Sequence, residues 1–324
     1  MPQSLQLRVA RIEPLTPTVS RFVLVPDGGG ALPAWEAGAH IEVEVQPSPG
    51  VTAHRAYSLV AGAAATAGGY EIAVQREDDG AGGSRHLHGL QVGDGVRARP
   101  PANHFPLAAE AADLNTSALL LAGGIGITPI LSMARTLAAR GAPFALHYAA
   151  RTAEAMPYRD QVQALPQAAL YFDEGDPARG LPLDALLAAP TPGRHLYVCG
   201  PKGLIEATVA AARRHGWADD QVHYELFAGT LAQAGDAPFE VRCAQGGQVF
   251  LVPPDKTILD VMLEQGMDPL FDCRTGNCGV CVTTVLDGQP DHRDSTLSAA
   301  ERAAGDRLCL CVSRARTPSL VLDL

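Results

Sequence analysis

The segment FDCRTGNCGVC places Cys273, Cys278 and Cys281 in C-x4-C-x2-C spacing, and Cys309 and Cys311 follow in RLCLCVSRA. Three thiolates from one tight loop and a fourth from a later segment are the ligand set of a 2Fe-2S cluster, so the end of the chain has to fold around that loop. Gly276, Asn277 and Gly279 supply the positive-φ positions and bare amides such a loop needs, and amides aimed at the sulfurs would tune the potential. Structural zinc is the competing reading, but four-cysteine zinc sites usually pair two short C-x2-C knuckles, whereas the first gap here is four residues. Cys309 and Cys311 would point the same way on a strand of period two, so spacing alone does not choose the fourth ligand.

A chain of 324 residues should hold two or three domains, because a single core rarely grows past about 250 to 300 residues. The formal charge of -10 argues against nucleic acid as the main partner. No run of about 18 apolar residues offers a membrane span, and the start MPQSLQLRVARIEPL lacks the order of a signal peptide. The expectation is a cytoplasmic protein, where seven cysteines, an odd number, serve as ligands, active-site thiols or core residues rather than in disulfides. Cys243, alone in FEVRCAQ, reads as core.

Three patterns succeed one another along the chain. LQLRVARI, RFVLV, HIEVEV, AYSLV, YEIAVQRE and VRARP alternate apolar and polar positions between Gly, Pro and Asp turns, the pattern of a small antiparallel β-barrel over residues 1–107. From Ser117 short apolar strands alternate with helical stretches (ALLLA, PILSMARTLAAR, FALHYAA, HLYVCG, LIEATVAAARRHG, VHYEL), which predicts an α/β doubly wound parallel sheet over residues 112–228. The aperiodic stretch FAGTLAQAGDAPF reads as a linker, taken as residues 229–237. In the last domain, residues 238–324, FEVRCAQGGQVFLV predicts a hairpin and KTILDVMLEQG an amphipathic helix that Gly266 ends.

Several weaker signals precede the cysteines. LLLAGGIGITPILSMAR sets Gly123, Gly124 and Gly126 between a strand and a helix, with Thr128 read as N-cap and Pro129 as the first helical residue. Free amides and the helix dipole there favour a phosphate, although the motif is not G-x-G-x-x-G and a tight structural turn is the plainer alternative. HLYVCGP ends a strand at Cys199 and Gly200, where open α/β sheets bind ligands; alone, such a cysteine is as readily packing. In RAYSL, Arg55 and Tyr57 share one side of a strand and Ser58 takes the other. An aromatic, a hydroxyl and a guanidinium suit a flavin ring and its oxygens, but an ordinary edge strand explains the same residues. GAGGSRHLHGL offers a second anion site, with Gly82 and Gly83 before Ser84 as cap of a short helix, against a plain glycine turn. His86 and His88 read as surface or packing residues.

RAYSL, GAGGS, GGIGITP, CGP, YELF and the cysteine segment run in one order across nearly the whole chain, and in this the sequence resembles the phthalate dioxygenase reductase family. That family is similar to ferredoxin-NADP reductases with a plant-type ferredoxin at the C-terminus, and it includes vanillate demethylase reductases and other reductases of Rieske-type oxygenases. The resemblance implies an FMN barrel, an NAD domain and an α+β β-grasp ferredoxin domain. It implies that Arg55, Ala56, Tyr57 and Ser58 meet the isoalloxazine and that Gly82, Gly83 and Ser84 lie near the FMN phosphate. Gly123, Gly124, Gly126, Thr128 and Pro129 would face the NAD pyrophosphate, Cys199 and Gly200 the nicotinamide, and Glu225 and Phe227 the meeting of nicotinamide and flavin. Ser58, Cys199 and Glu225 thereby become the candidate catalytic residues. Between Cys281 and Cys311 lie 29 residues, the separation plant-type ferredoxins commonly show, so Cys311 is the implied fourth ligand and Cys309 a buried thiol. One departure is His54, directly before the flavin arginine, where a small or polar residue is common.

NADH releases two electrons as a hydride and a 2Fe-2S cluster takes one at a time, a mismatch that a flavin bridges. FMN and NADH are what the resemblance implies; Arg151, after FALHYAA, could pair with a 2′-phosphate, which would favour NADPH, against the preference for NADH that the resemblance implies. The chain has no Rieske ligand motif of its own. Oxidation of a final substrate then falls to a partner, expected to be a Rieske-type terminal oxygenase served by a monomeric reductase. The alternatives are a stand-alone reductase of a cytochrome, a soluble ferredoxin or a small acceptor, and a zinc-stabilised binding module without redox chemistry.

Overall fold

The computed structural model describes residues 4–60, 69–80, 82–108, 117–227, 235–271, 274, 276, 278–294 and 296–324. The chain divides into two compact units, Met1–Glu225 and Leu226–Leu324. Residues 229–234, most of the expected linker, lie outside the described residues.

The first unit opens with strands β1 (Leu5–Pro14), β2 (Val19–Pro26), β3 (His40–Ser48), β4 (Val51–Ser58), β5 (Tyr70–Gln75) and β6 (Gly95–Ala98). They form one antiparallel sheet in the order β4-β3-β6-β1-β2-β5. The sheet curls until the chain after β4 meets β5, where the Val60 amide donates to the Glu71 carbonyl at 3.0 Å. Closure of this kind removes unpaired strand edges. Period two selects the inside: in β3, Ile41, Val43 and Val45 are buried while Glu42 and Glu44 between them are only half-buried. Helix α1 (Gly83–His88) follows β5.

The rest of this unit is a parallel sheet of β7 (Ala118–Gly123), β8 (Phe144–Ala150), β9 (Ala168–Phe172), β10 (His195–Cys199) and β11 (Val222–Glu225). Its connections carry α2 (Ile127–Arg140), α3 (Arg159–Gln163), α4 (Leu183–Leu187) and α5 (Lys202–Arg214). All six residues of β7 are buried, as befits a strand in mid-sheet with both faces covered. The order β11-β10-β7-β8-β9 reverses direction between β7 and β10, so the carboxyl ends of those two strands flank the crevice where such sheets bind ligands. Barrel and sheet share a core in which Val19, Val60, Ala73 and Phe105 join Ile127, Ile130, Met133 and Cys199.

The second unit is an α+β fold. Strands β12 (Phe239–Cys243), β13 (Val249–Val252), β14 (Val282–Asp287), β16 (Arg307–Cys309) and β18 (Ser319–Leu322) form a sheet in the order β13-β12-β18-β14-β16, beside the short pair β15 (Pro290–Asp291) and β17 (Arg314–Ala315). The expected hairpin is β12 and β13, paired from Phe239 with Val252 to Arg242 with Val249. The expected helix is α6 (Ile258–Glu264), opened by a capping box between Thr257 and Asp260 and followed by Gly266 at φ 76°. A second helix, α7 (Ala299–Ala304), is capped the same way by Ser298 and Glu301. This is the β-grasp architecture, with the cysteine loop between α6 and β14.

Candidate functional site

RAYSL covers the end of β4, which pairs with β3. Arg55 pairs with Val43 and Tyr57 with Ile41, so both share the face of the buried β3 residues, while Ser58 is buried opposite His40. Ala56 and His54 are exposed, and the His54 carbonyl accepts from Arg55 Nη1 at 2.9 Å. Burial pushes the Tyr57 hydroxyl up to about 12, with nearby Arg55 pulling the other way, so it stays a neutral phenol. The second glycine segment folds against this strand: a Cβ on Gly83 would stand 2.9 Å from Arg55 Cγ and 3.3 Å from Val45 Cγ2. Ser84 is not the cap of α1. Gly82 holds that position in the left-handed region at φ 88°, which a serine resists, and Ser84 Oγ instead accepts from the Glu77 amide at 3.0 Å. His88 packs against Phe22 and bonds the Val74 carbonyl at 2.9 Å, a packing residue as expected.

The chain just past Ser58 is tied to the nucleotide domain. Arg135 of α2 donates to the Val60 carbonyl at 2.9 Å and also bonds Gln161. Tyr158 donates to Glu71 at 3.1 Å, and Glu71 pairs with Arg21 at 3.3 Å. Burial lowers the Arg135 pKa, and the Glu71 carboxylate opposes the shift. None of these residues was legible as functional, because each partner is distant in sequence.

At the carboxyl ends of β7 and β10 the glycines do two different jobs. A Cβ on Gly126 would fall 2.3 Å from the Cys199 carbonyl oxygen, one on Gly123 would fall 2.8 Å from Pro201 Cδ, and one on Gly200 would fall 3.0 Å from Gly123 Cα. Gly126 and Gly200 are glycines because backbone lies against them, whereas Gly123 makes room for the side chains of Leu204 and Pro201. Gly124, at φ 53°, is different: a Cβ there would meet nothing within 4 Å, so its glycine serves the positive φ and leaves open space beside the loop. The N-cap of α2 is Gly126 rather than Thr128, and Pro129 is the third helical residue rather than the first. A 3-10 turn over Gly124–Gly126 starts the helical path early, and the Thr128 hydroxyl donates to the Ile125 carbonyl at 3.0 Å. Pro129 is harmless there because first-turn amides have no helical acceptor.

Cys199 and Glu225 are register partners on parallel strands, and both are buried. Burial drives the Cys199 thiol well above its ordinary range and the Glu225 carboxylate adds to that, while the Gly200 amide opposes it; no thiolate is available here near neutrality. Phe227, two residues past Glu225, is exposed, as is Arg151 just after β8.

In the cysteine loop, Arg274, Gly276 and Gly279 adopt φ of 56°, 76° and 74°. Arg274, the unexpected one, lies over the Phe271 ring at 4.6 Å. Cys273 and Asn277 lie outside the described residues. Cys278 is half-buried, whereas Cys281 and Cys311 are buried with their sulfurs 3.2 Å apart. That exceeds a disulfide bond and approaches the roughly 3.8 Å expected of two thiolates on one tetrahedral metal. Cys309 and Cys311 do not share a strand: β16 stops at Cys309, and Ser313 donates back to the Cys309 carbonyl at 3.0 Å in a turn that carries Cys311.

A flavin-type barrel, a nucleotide-binding parallel sheet and a cysteine-loop β-grasp domain in one chain define an oxidoreductase with flavin- and 2Fe-2S-binding domains. The family model for the oxidoreductase FAD-binding domain matches residues 6–106, that for the dimethylamine monooxygenase subunit DmmA-like N-terminal domain residues 95–222, and that for the 2Fe-2S iron-sulfur cluster binding domain residues 241–316. The chain is 43% identical to the vanillate O-demethylase oxidoreductase of Pseudomonas sp. (strain HR199 / DSM 7063), over 91% of this chain and 92% of that protein. It is 39% identical to the heme-dependent oxidative N-demethylase beta subunit of Ectopseudomonas mendocina (strain ymp), over 99% of each. The solved structure of phthalate dioxygenase reductase, described as modular for electron transfer from pyridine nucleotides to 2Fe-2S, superposes with a TM-score of 0.76 at 34% identity, covering 99% of this chain and 98% of that one. The chain belongs to the phthalate dioxygenase reductase family.

Proposed function

We propose that this protein is the reductase component of a Rieske-type oxygenase, drawing electrons from NADH through FMN to its own 2Fe-2S cluster and on to the oxygenase. The observation that carries the reading is the union of barrel and nucleotide sheet: the chain two residues past Ser58 is bonded to α2, the helix that starts at the glycine loop, and shares a core with Cys199. Flavin strand and nicotinamide crevice are thus parts of one compact unit. The choice of FMN and of NADH follows the family resemblance. Bound flavin would accept a hydride and release electrons singly.

The residues around it hold and orient. Arg55 supplies a permanent cation to an anionic oxygen, Tyr57 an uncharged aromatic face, and Ser58 a hydroxyl donor, with Gly82, Gly83 and Ser84 beside the phosphate. Gly124 offers its amide to the NADH pyrophosphate, and Cys199, Gly200 and Glu225 floor the nicotinamide pocket. Cys273, Cys278, Cys281 and Cys311 are the cluster ligands. The domains run over residues 1–107, 112–228 and 238–324, in a monomer of the cytoplasm. Among the described residues no helix is long and apolar enough to cross a membrane.

A heme-containing oxygenase is the second candidate partner, because the N-demethylase relative named above is described as heme-dependent. Coupled turnover of the purified reductase with Rieske-type and heme-type terminal oxygenases decides between them. Rieske oxygenases should turn over with NADH; turnover confined to the heme enzyme would replace the first reading with the second.

A further inference from the structure

Asp294 is a carboxylate whose side chain has no solvent exposure, in a turn of the second unit that the cysteine motif does not include. Burying a carboxylate is costly unless hydrogen bonds and an opposite charge meet it. Here the Leu297 amide donates to Oδ2 at 2.9 Å, the Ser313 hydroxyl donates to Oδ1 at 3.4 Å, and an Arg302 nitrogen stands 3.7 Å from Oδ2. His292 Nδ1 is 3.7 Å from Oδ1. Arg302 also donates to the Asp294 carbonyl at 2.6 Å, so the pair is held at both backbone and side chain.

The turn is moulded to the cysteine loop. A Cβ on Gly276 would stand 2.9 Å from Asp294 Cα, and one on Gly279 would stand 3.1 Å from Thr296 Oγ1. Ser313, the hydroxyl donor, is two residues past Cys311. The buried anion therefore lies between the loop that carries Cys278 and Cys281 and the turn that carries Cys311.

We propose that Asp294 and Arg302 are positioning residues that set the electron affinity of the cluster, the carboxylate opposing the incoming electron and the guanidinium favouring it. This rests on the 2Fe-2S reading of the cysteines. Reduction adds one negative charge to the cluster, and a neighbouring fixed charge biases that step without touching a ligand. Asp294 is wholly buried and weakly screened, whereas Arg302 is 28% exposed and screened by water, so the anion prevails.

The test is a redox titration of purified holoprotein, read by the electron paramagnetic signal of the reduced cluster, with cluster content measured alongside. Asp294→Asn should move the midpoint to more positive potential by about tenfold in the reduction equilibrium, about 59 mV for a one-electron couple. Arg302→Met should move it the other way, and Arg302→Lys should restore it. Shifts of the same sign in both charge variants, or none, would overturn the proposal in favour of a purely structural role. Should Asp294→Asn not accumulate as holoprotein, the negative shift of Arg302→Met and its recovery by lysine decide alone. A wild-type protein with no reduced-cluster signal would remove the cluster reading itself.

Discussion

Gly124 and Gly126 show how much one missing side chain can decide. They stand two residues apart in one motif, yet a Cβ on Gly126 would overlap the Cys199 carbonyl at 2.3 Å while one on Gly124 would meet nothing within 4 Å. Gly126→Ala should cost about 3 kcal/mol, because backbone rather than a pliable side chain has to yield. Gly124→Ala should cost only about 1–2 kcal/mol, the strain of a positive φ, and should raise the KM for NADH several-fold as a methyl group enters the phosphate approach. Urea unfolding and steady-state kinetics on the two variants check this; equal losses of stability would show that both glycines serve packing. Cys199 carries a companion expectation. With its thiol held far above neutrality by burial and by Glu225, NADH-driven flavin reduction should show no thiolate titration between about pH 7 and 9, and Cys199→Ser should leave that profile unchanged.

Strands β10 and β11 carry a feature that only their pairing creates. His195 Nδ1 lies 2.9 Å from His223 Nε2, and the His223 ring stacks on Tyr197 at 4.7 Å. Burial first, then the neighbouring His195, lowers the His223 pKa from 6.5 to about 4. An unfolded imidazole binds a proton near pH 6.5 that the folded one refuses until about 4, so the unfolded chain holds more protons in that window and acid favours it. The stability contributed by the neutral ring is complete above pH 6.5 and is lost as the pH falls toward 4. His223→Phe should flatten that stretch of the melting curve, lifting the Tm at pH 5 by a few degrees relative to wild type; an identical acid dependence in the variant would count against it. Elements of this kind were readable where periodicity was strong: five of the six barrel strands and the end of β4, then β7, β8, β10 and β11, and helices α2, α5 and α6 fall on the segments whose apolar pattern announced them. The strand β9 escaped because AALYF is half-buried without alternation, and α3 and α4 are only five residues each. Thr128 was misread because a threonine before an apolar run has the signature of a cap, and the 3-10 turn ahead of it is a backbone decision that side-chain pattern does not record. Asp294 left no trace either, since the partners that give it meaning, Gly276 and Ser313, lie on either side of it in distant sequence.

On the function proposed above, the division of the chain at Glu225 separates the unit that takes up electrons from the unit that passes them on. The flavin strand and the nicotinamide crevice draw their packing from the first unit's own barrel and sheet cores, while Cys281, Cys309 and Cys311 sit within the core of the second. Damage to the cluster should therefore leave the first half of the path intact. Cys311→Ser replaces a soft thiolate with a poorer ligand for iron, so cluster content should fall, and reduction of a one-electron protein acceptor should drop at least about tenfold. NADH should still bleach the flavin at the wild-type rate in stopped-flow measurements. Cys309→Ser should do neither, because Cys309 ends β16 while it is Cys311 whose sulfur reaches within 3.2 Å of Cys281. If Cys309→Ser lost its cluster and Cys311→Ser kept it, the fourth ligand would have to be reassigned. If flavin bleaching failed in the Cys311 variant, the two halves would not be separable, and the first unit would have to depend on the loaded cysteine loop for its own competence.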